Sequence, residues 1–126
     1  LRGLHYQVPP FSQSKLLRVS YGRILDIAVD LRKSSPTFGK HIAKELSDSN
    51  NRQIFIPHGF AHGFIVLSDA AVISYKVDNY YSKEHEKGIL YNDKNLNIEW
   101  NFDLEKIIVS DKDKSLPVFT KAFKFE

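Results

Sequence analysis

KLLRVSYGRILDIAVDL, residues 15–31, reads in twos. Lys15, Leu17, Val19 and Tyr21 fall on one face of an extended segment, and beyond Gly22 the residues Leu25, Ile27, Val29 and Leu31 alternate with Ile24, Asp26, Ala28 and Asp30. A period of two marks a strand, because successive side chains point to opposite faces. The segment therefore predicts two strands, Lys15 to Tyr21 and Arg23 to Leu31, with Gly22 as a tight hairpin between them.

The same period recurs on the C-terminal side. His41 to Leu46, Gln53 to Pro57, His62 to Ser68 and Ala70 to Asn79 are further strand candidates, each bounded by turn-forming Ser, Asn, Asp, Gly or Pro. Short, closely spaced strands predict an all-β antiparallel sandwich or barrel, and a jelly roll is the variety that leaves a cavity between its sheets. The polar run Asp48-Ser49-Asn50-Asn51-Arg52 reads as a hairpin loop within one domain spanning residues 1–126. Helical signal is confined to Leu104 to Ile108 and to one turn at Ser82 to Glu86, where Ser and Glu suit a capping arrangement.

Composition narrows the function classes. The chain has 126 residues, 42% of them hydrophobic, which suits one domain with a sizeable core. With 18 Lys and Arg against 15 Asp and Glu, the net charge is only +3 and no long basic block appears, so a nucleic-acid partner is not expected. The absence of Cys excludes a disulfide scaffold, a thiolate metal site and a Cys nucleophile within these residues. No apolar run is long enough to span a bilayer as a helix, so the expectation is a cytoplasmic protein without a membrane partner. The sequence has no Met and opens directly on Leu1-Arg2-Gly3-Leu4-His5-Tyr6-Gln7, which predicts that an N-terminal portion precedes it.

Four blocks carry chemistry. His5 has an imidazole with an ordinary pKa near ~6.5, suited to taking a proton when a carboxylate orients its other nitrogen. Arg2 and Lys15 lie close in sequence, and a base beside two cations suits an anionic substrate and a developing oxyanion. In IPHGFAHGF, residues 56–64, His58 and His62 have the i, i+4 spacing of a helical metal site, but Pro57, Gly59 and Gly63 argue against a helix. His62 then remains a candidate partner for a substrate or for a carboxylate such as Asp26. Tyr75 alternates with Ile73 and Val77 and should lie on an apolar face, as a core residue or as a proton donor opposite a His base. Tyr80 and Tyr81 end that strand, where one ring can stack on a planar base. The fourth block, Val109-Ser110-Asp111-Lys112-Asp113, reads as a solvated turn.

Taken in order, LRGLHYQ at 1–7, KLLRVSYGRILDIAVDLRKSSPTFGK at 15–40, RQIFIPHGFAHGFIVLS at 52–68, YKVDNYYSKEHEKGILYND at 75–93 and the SDKD of 110–113 resemble the dTDP-4-dehydrorhamnose 3,5-epimerase family. The resemblance is collinear over nearly the whole chain. It implies a cupin-type jelly roll with minor C-terminal helical turns, and an enzyme without cofactor or metal that inverts C3, C5 or both in dTDP-4-keto-6-deoxy-D-glucose through an enolate, in dTDP-L-rhamnose or related deoxysugar biosynthesis. By the same resemblance His5 is the base, Asp113 its carboxylate partner and Tyr75 the proton donor on the opposite sugar face. Lys15 stabilises the enolate oxygen, His62 lines the sugar site, Arg2, Glu86 and Lys112 contact the nucleotide, and Tyr81 stacks on thymine. A homodimer is implied too, with an N-terminal region before Leu1 supplying further strands.

Strict alternation would place Arg2 and His5 on opposite faces, so a shared pocket requires a bulge at Gly3. Two other readings stand beside the epimerase. One is a metal-dependent cupin enzyme using His58, His62 and another His or Glu; the other is a non-catalytic sugar-nucleotide-binding relative. The set His5, Tyr75 and Asp113 argues against the latter, because binding alone needs no acid and base on opposing sides.

Overall fold

The alternating residues of the second strand are buried on both of its faces, which makes that strand the centre of the architecture. The computed structural model describes residues 1–126. Its strands are β1 (Arg2–Gln7), β2 (Lys15–Tyr21), β3 (Arg23–Asp30), β4 (His41–Ser47), β5 (Gln53–Ile56), β6 (Phe60–Val66), β7 (Val72–Val77) and β8 (Glu86–Gly88). They form two antiparallel sheets, one of five strands in the order β4-β3-β6-β1-β8 and one of three in the order β5-β2-β7. This is the antiparallel sandwich that the strand spacing predicts, in the jelly-roll form that the resemblance implies.

The hairpin expected at Gly22 does not form. β2 pairs with β5 and β7, whereas β3 pairs with β4 and β6, so Gly22 is the corner where the chain leaves one sheet for the other. The corner requires glycine twice over: φ is +85°, and a Cβ would lie 2.2 Å from the Ala70 carbonyl oxygen. Its N–H donates to Asp48 Oδ2 at 2.8 Å. Residues 48–52 are likewise a crossing from β4 to β5, on different sheets, and not a hairpin loop. Periodicity reports which face a residue takes, and two strands joined by a corner alternate just as paired ones do.

Both faces of the five-stranded sheet are covered. Ile24 and Ala28 of β3 pack with Leu17, Val19, Leu46, Ile54 and Ile56 in the core between the sheets. Leu25, Ile27 and Val29 face outward to a second core, with Leu4, Tyr6 and Ile65, sealed by Ile89, Leu96 and Trp100 from the C-terminal segment. The polar members of the inner face, Asp26 and His62, therefore point into the space between the sheets. Sheet pairing also extends or trims the expected strands by a residue or two at their ends.

Helix is minimal, in different places from those expected. Leu104 to Ile108 forms no helix. Lys83–His85 is one turn of 3-10 helix, and the Ser82 side chain makes no cap to its backbone, bonding instead to His85 Nδ1 at 2.7 Å. The single α-turn, α1 (Asp111–Lys114), lies where the charge run suggested a solvated turn. Ser110 caps it, its Oγ accepting from Asp113 N–H at 3.1 Å.

Candidate active site

The site begins at the bulge. Arg2 pairs with Phe64 and His5 with His62, so three residue steps on β1 oppose two on β6. The one-residue shift turns Arg2 and His5 to the same face. Gly3 (φ +126°) and Gly63 make it sterically possible, since a Cβ on Gly3 would sit 2.6 Å from Gly63 Cα. The bulge expected at Gly3 is present.

A bulge leaves an N–H without its ladder partner, and Asp113 takes it. Gly3 N–H donates to Asp113 Oδ2 at 3.1 Å, while His5 Nε2 bonds Asp113 Oδ1 at 2.6 Å. Asp113 is buried, brought there by the Ser110-capped turn. Because a carboxylate only accepts, Nε2 carries the imidazole proton and Nδ1 is left as the basic nitrogen. One buried carboxylate thus fixes both the strand distortion and the tautomer.

Between the sheets lies a cavity of about 440 Å³, lined among others by Arg2, His5 and His62 from the five-stranded sheet and Lys15 and Tyr75 from the three-stranded one. His62 Nε2 bonds Asp26 Oδ1 at 2.6 Å, as its sequence position suggested. Asp26 is fully buried, and its Oδ2 has no hydrogen-bond partner. Burial pulls the Lys15 ammonium below the usual lysine range, against the negative charges of Asp26 and Glu86, which act to raise it. Tyr75 is not a core residue: it stands opposite Leu17 in register, 63% exposed, with Ile73 beside it on the cavity wall. Acid and base candidates thus face one space from different sheets.

A wider hollow of about 980 Å³ adjoins this cavity, sharing Arg2, His5, Lys15 and Tyr75 and adding Tyr81, Glu86, Lys112 and Asp113. Lys112 Nζ donates to Glu86 Oε1 at 2.6 Å. Burial alone would raise the Glu86 carboxyl, but hydrogen bonds from Lys112 and Tyr81 outweigh it and hold the group below the usual range. The Glu86 carboxylate in turn raises the Tyr81 phenol and the Lys112 ammonium. Tyr81 is 65% exposed, so its ring is open to a ligand.

The family model for dTDP-4-dehydrorhamnose 3,5-epimerase matches residues 1–121. The chain belongs to the dTDP-4-dehydrorhamnose 3,5-epimerase family. It is 57% identical over 113 residues to the dTDP-4-dehydrorhamnose 3,5-epimerase of Shigella flexneri, covering 90% of this chain and 61% of that protein. The crystal structure of the epimerase from Elizabethkingia anophelis superposes with a TM-score of 0.93 at 49% identity, covering 94% of this chain and 65% of that one. The Legionella pneumophila dTDP-6-deoxy-D-glucose-3,5-epimerase, solved in complex with dTDP-4-keto-L-rhamnose, gives a TM-score of 0.90 at 45% identity, covering 95% and 63%. The chain thus spans about three fifths of the length of the Shigella relative. Its jelly roll is that of the family's cupin epimerases.

All nine residues to which the family resemblance gives roles, Arg2, His5, Lys15, His62, Tyr75, Tyr81, Glu86, Lys112 and Asp113, line the two joined hollows. The pair at the centre of the metal alternative is not brought together: His58 Nε2 bonds Asp78 Oδ2 at 2.9 Å in an exposed position, while His62 is buried on Asp26. No group of three or more His, Asp or Glu side chains is arranged to hold a metal ion. Ser110, which sets Asp113 in place, carries no role in the sequence reading, although Ser110-x-x-Asp113 is a capping spacing legible in the sequence.

Proposed function

We propose that this chain carries the catalytic centre of an epimerase that inverts C3 and C5 of a dTDP-4-keto-6-deoxyhexose through an enolate. The observation that carries the reading is the Asp113-held His5 on one sheet facing Tyr75 on the other across a single cavity. The C–H bonds next to the C4 ketone are weakly acidic. Nδ1 of His5 takes that proton, the electron pair moves onto the carbonyl oxygen, and Lys15 stabilises the resulting enolate by its charge. Tyr75 returns a proton to the same carbon from the opposite face, the enolate collapses to the ketone, and the centre is inverted. His62, fixed by Asp26, hydrogen-bonds the sugar, while Arg2, Lys112 and Glu86 engage the nucleotide and Tyr81 stacks on thymine.

Solvent deuterium incorporation into the dTDP-4-keto-6-deoxy sugar, read by NMR at C3 and C5, tests the reading. Exchange at both carbons is expected, lost in His5→Ala and kept in Tyr75→Phe with epimerisation reduced by about 10²-fold or more. Exchange undiminished in His5→Ala would remove His5 as the base. The same reading assigns a cytoplasmic location and a homodimer, and the exposed Phe55 and Val72 on the three-stranded sheet support the homodimer. Sedimentation at twice the chain mass is the expected result, and a monomer at all concentrations would count against it.

A further inference from the structure

Gln7 has no part in the reaction just described, yet every polar atom of its side chain is engaged. It lies two residues beyond His5 on β1, opposite Glu86 in register, and is buried. Its amide nitrogen donates to the carbonyls of Phe11 and Tyr80 at 2.6 and 3.0 Å, and its amide oxygen accepts from Ser82 N–H at 2.9 Å. Tyr80 and Ser82 are the two neighbours of Tyr81. Residues 78–81 lie beyond the end of β7 and before Ser82, the N-cap position of the 3-10 turn at Lys83, so no strand ladder or helix holds Tyr81 itself. The Tyr81 ring is mostly exposed and gains little fixity from packing. Asn79 is tied to Gln13, Pro10 and Ser12, and the Ser82 carbonyl accepts from His85 N–H, but the two bonds that bracket Tyr81 from β1 both come from Gln7.

We infer that Gln7 is a positioning residue that presets Tyr81 for the planar base of a nucleoside diphosphate, an inference that rests on the nucleotide role proposed above for Tyr81. A segment ordered before binding loses its conformational freedom on folding, and the ligand then meets a platform already in place. Gln7 and His5 lie on the same strand, β1, both paired with β8. Its effect belongs to nucleotide binding rather than to proton transfer.

Calorimetric titration of dTDP into wild-type protein, Gln7→Leu, Tyr81→Ala and the double variant tests this, together with kcat and KM for the 4-keto sugar nucleotide. Leu is of similar size and has no polar atoms, so the dissociation constant should rise about tenfold in Gln7→Leu, with KM following and kcat within about twofold of wild type. The double variant should bind no more weakly than Tyr81→Ala alone. Losses that add in the double variant, or a fall in kcat with KM unchanged, would overturn the inference. So would unchanged dTDP affinity in Gln7→Leu while Tyr81→Ala is impaired, and that result would leave the nucleotide reading standing. If Tyr81→Ala itself binds dTDP as wild type does, the nucleotide role of Tyr81 falls and this inference with it. Should Gln7→Leu fail to fold, Gln7→Glu decides: it keeps the acceptor for Ser82 N–H but loses both donors, so weakened dTDP binding supports the inference and wild-type affinity overturns it.

Discussion

Asp113 touches β1 at two points that depend on each other. Its Oδ2 accepts from the Gly3 N–H freed by the bulge, and its Oδ1 accepts from His5 Nε2–H. Nothing local in Val109 to Asp113 signals this, because both contacts run to residues more than a hundred positions away. What is local is the Ser110-x-x-Asp113 cap, which predicts a helical turn but not what the turn faces. His5, by contrast, was legible as a base candidate from its residue type and its cationic neighbours, and the bulge at Gly3 followed once the family resemblance placed Arg2 and His5 in one pocket. Asp113→Asn preserves the shape but removes the charge and offers an amide N–H toward either Gly3 or His5. The His5 tautomer is then no longer fixed, and kcat should fall by about 10²–10⁴-fold. Steady-state turnover of the 4-keto sugar nucleotide checks this, and activity within a few fold of wild type would separate Asp113 from the reaction.

At the scale of elements, β3 shows what alternation can and cannot convey. Its two faces were separable in the sequence, and Asp26 and Asp30 were visibly on the less apolar one. Which sheet it joined was not, since a corner at Gly22 and a hairpin at Gly22 leave the same local pattern. Asp30 closes the strand in a buried cluster. Its carboxylate accepts from the Arg32 guanidinium, the Arg32 backbone N–H, and the Ser35 and Thr37 hydroxyls, pinning the turn that leads to β4. Burial opposes the charge, but these bonds outweigh it and hold the carboxyl well below the usual range. A carboxyl depressed in the folded state contributes stability above the unfolded pKa of ~3.9 and loses it as the pH falls toward the folded value. Asp30→Asn should therefore cost about 1.5–3 kcal/mol at neutral pH and flatten the loss of stability below about pH 4. Urea unfolding at pH 7 and pH 3 reads both effects; an unchanged acid slope would show that other carboxylates govern it.

Across the whole molecule, the C-terminal segment from Ile89 onward connects stability to chemistry. It covers the outer face of the five-stranded sheet, the side away from the cavity; Leu90 N–H to the Pro117 carbonyl and Phe119 N–H to Asp93 Oδ2 hold it together, and Ile89 N–H to the Leu4 carbonyl and Phe125 N–H to the Leu31 carbonyl tie it back. Trp100 is its largest anchor, 2% exposed among Leu96, Ile89 and the outer residues of β3, with Nε1 donating to the Tyr91 carbonyl at 2.9 Å. The same segment carries α1 and with it Asp113. Irregular backbone with buried anchors has no periodic signature, which is why the sequence disclosed the two sheets more readily than this cover. Trp100→Ala removes the anchor and orphans a carbonyl, so it should destabilise the fold by about 3–5 kcal/mol. Because the cover also sets Asp113, turnover should fall in the same variant at temperatures where it remains folded, whereas Leu17→Ala, in the core between the sheets, should lower stability by about 2–5 kcal/mol without displacing Asp113 from Gly3. Chemical unfolding read alongside the amide exchange rate of Gly3 separates the two: faster Gly3 exchange in Trp100→Ala than in an equally destabilised Leu17→Ala is the expected result, and equal rates would show that the cover does not hold the carboxylate in place.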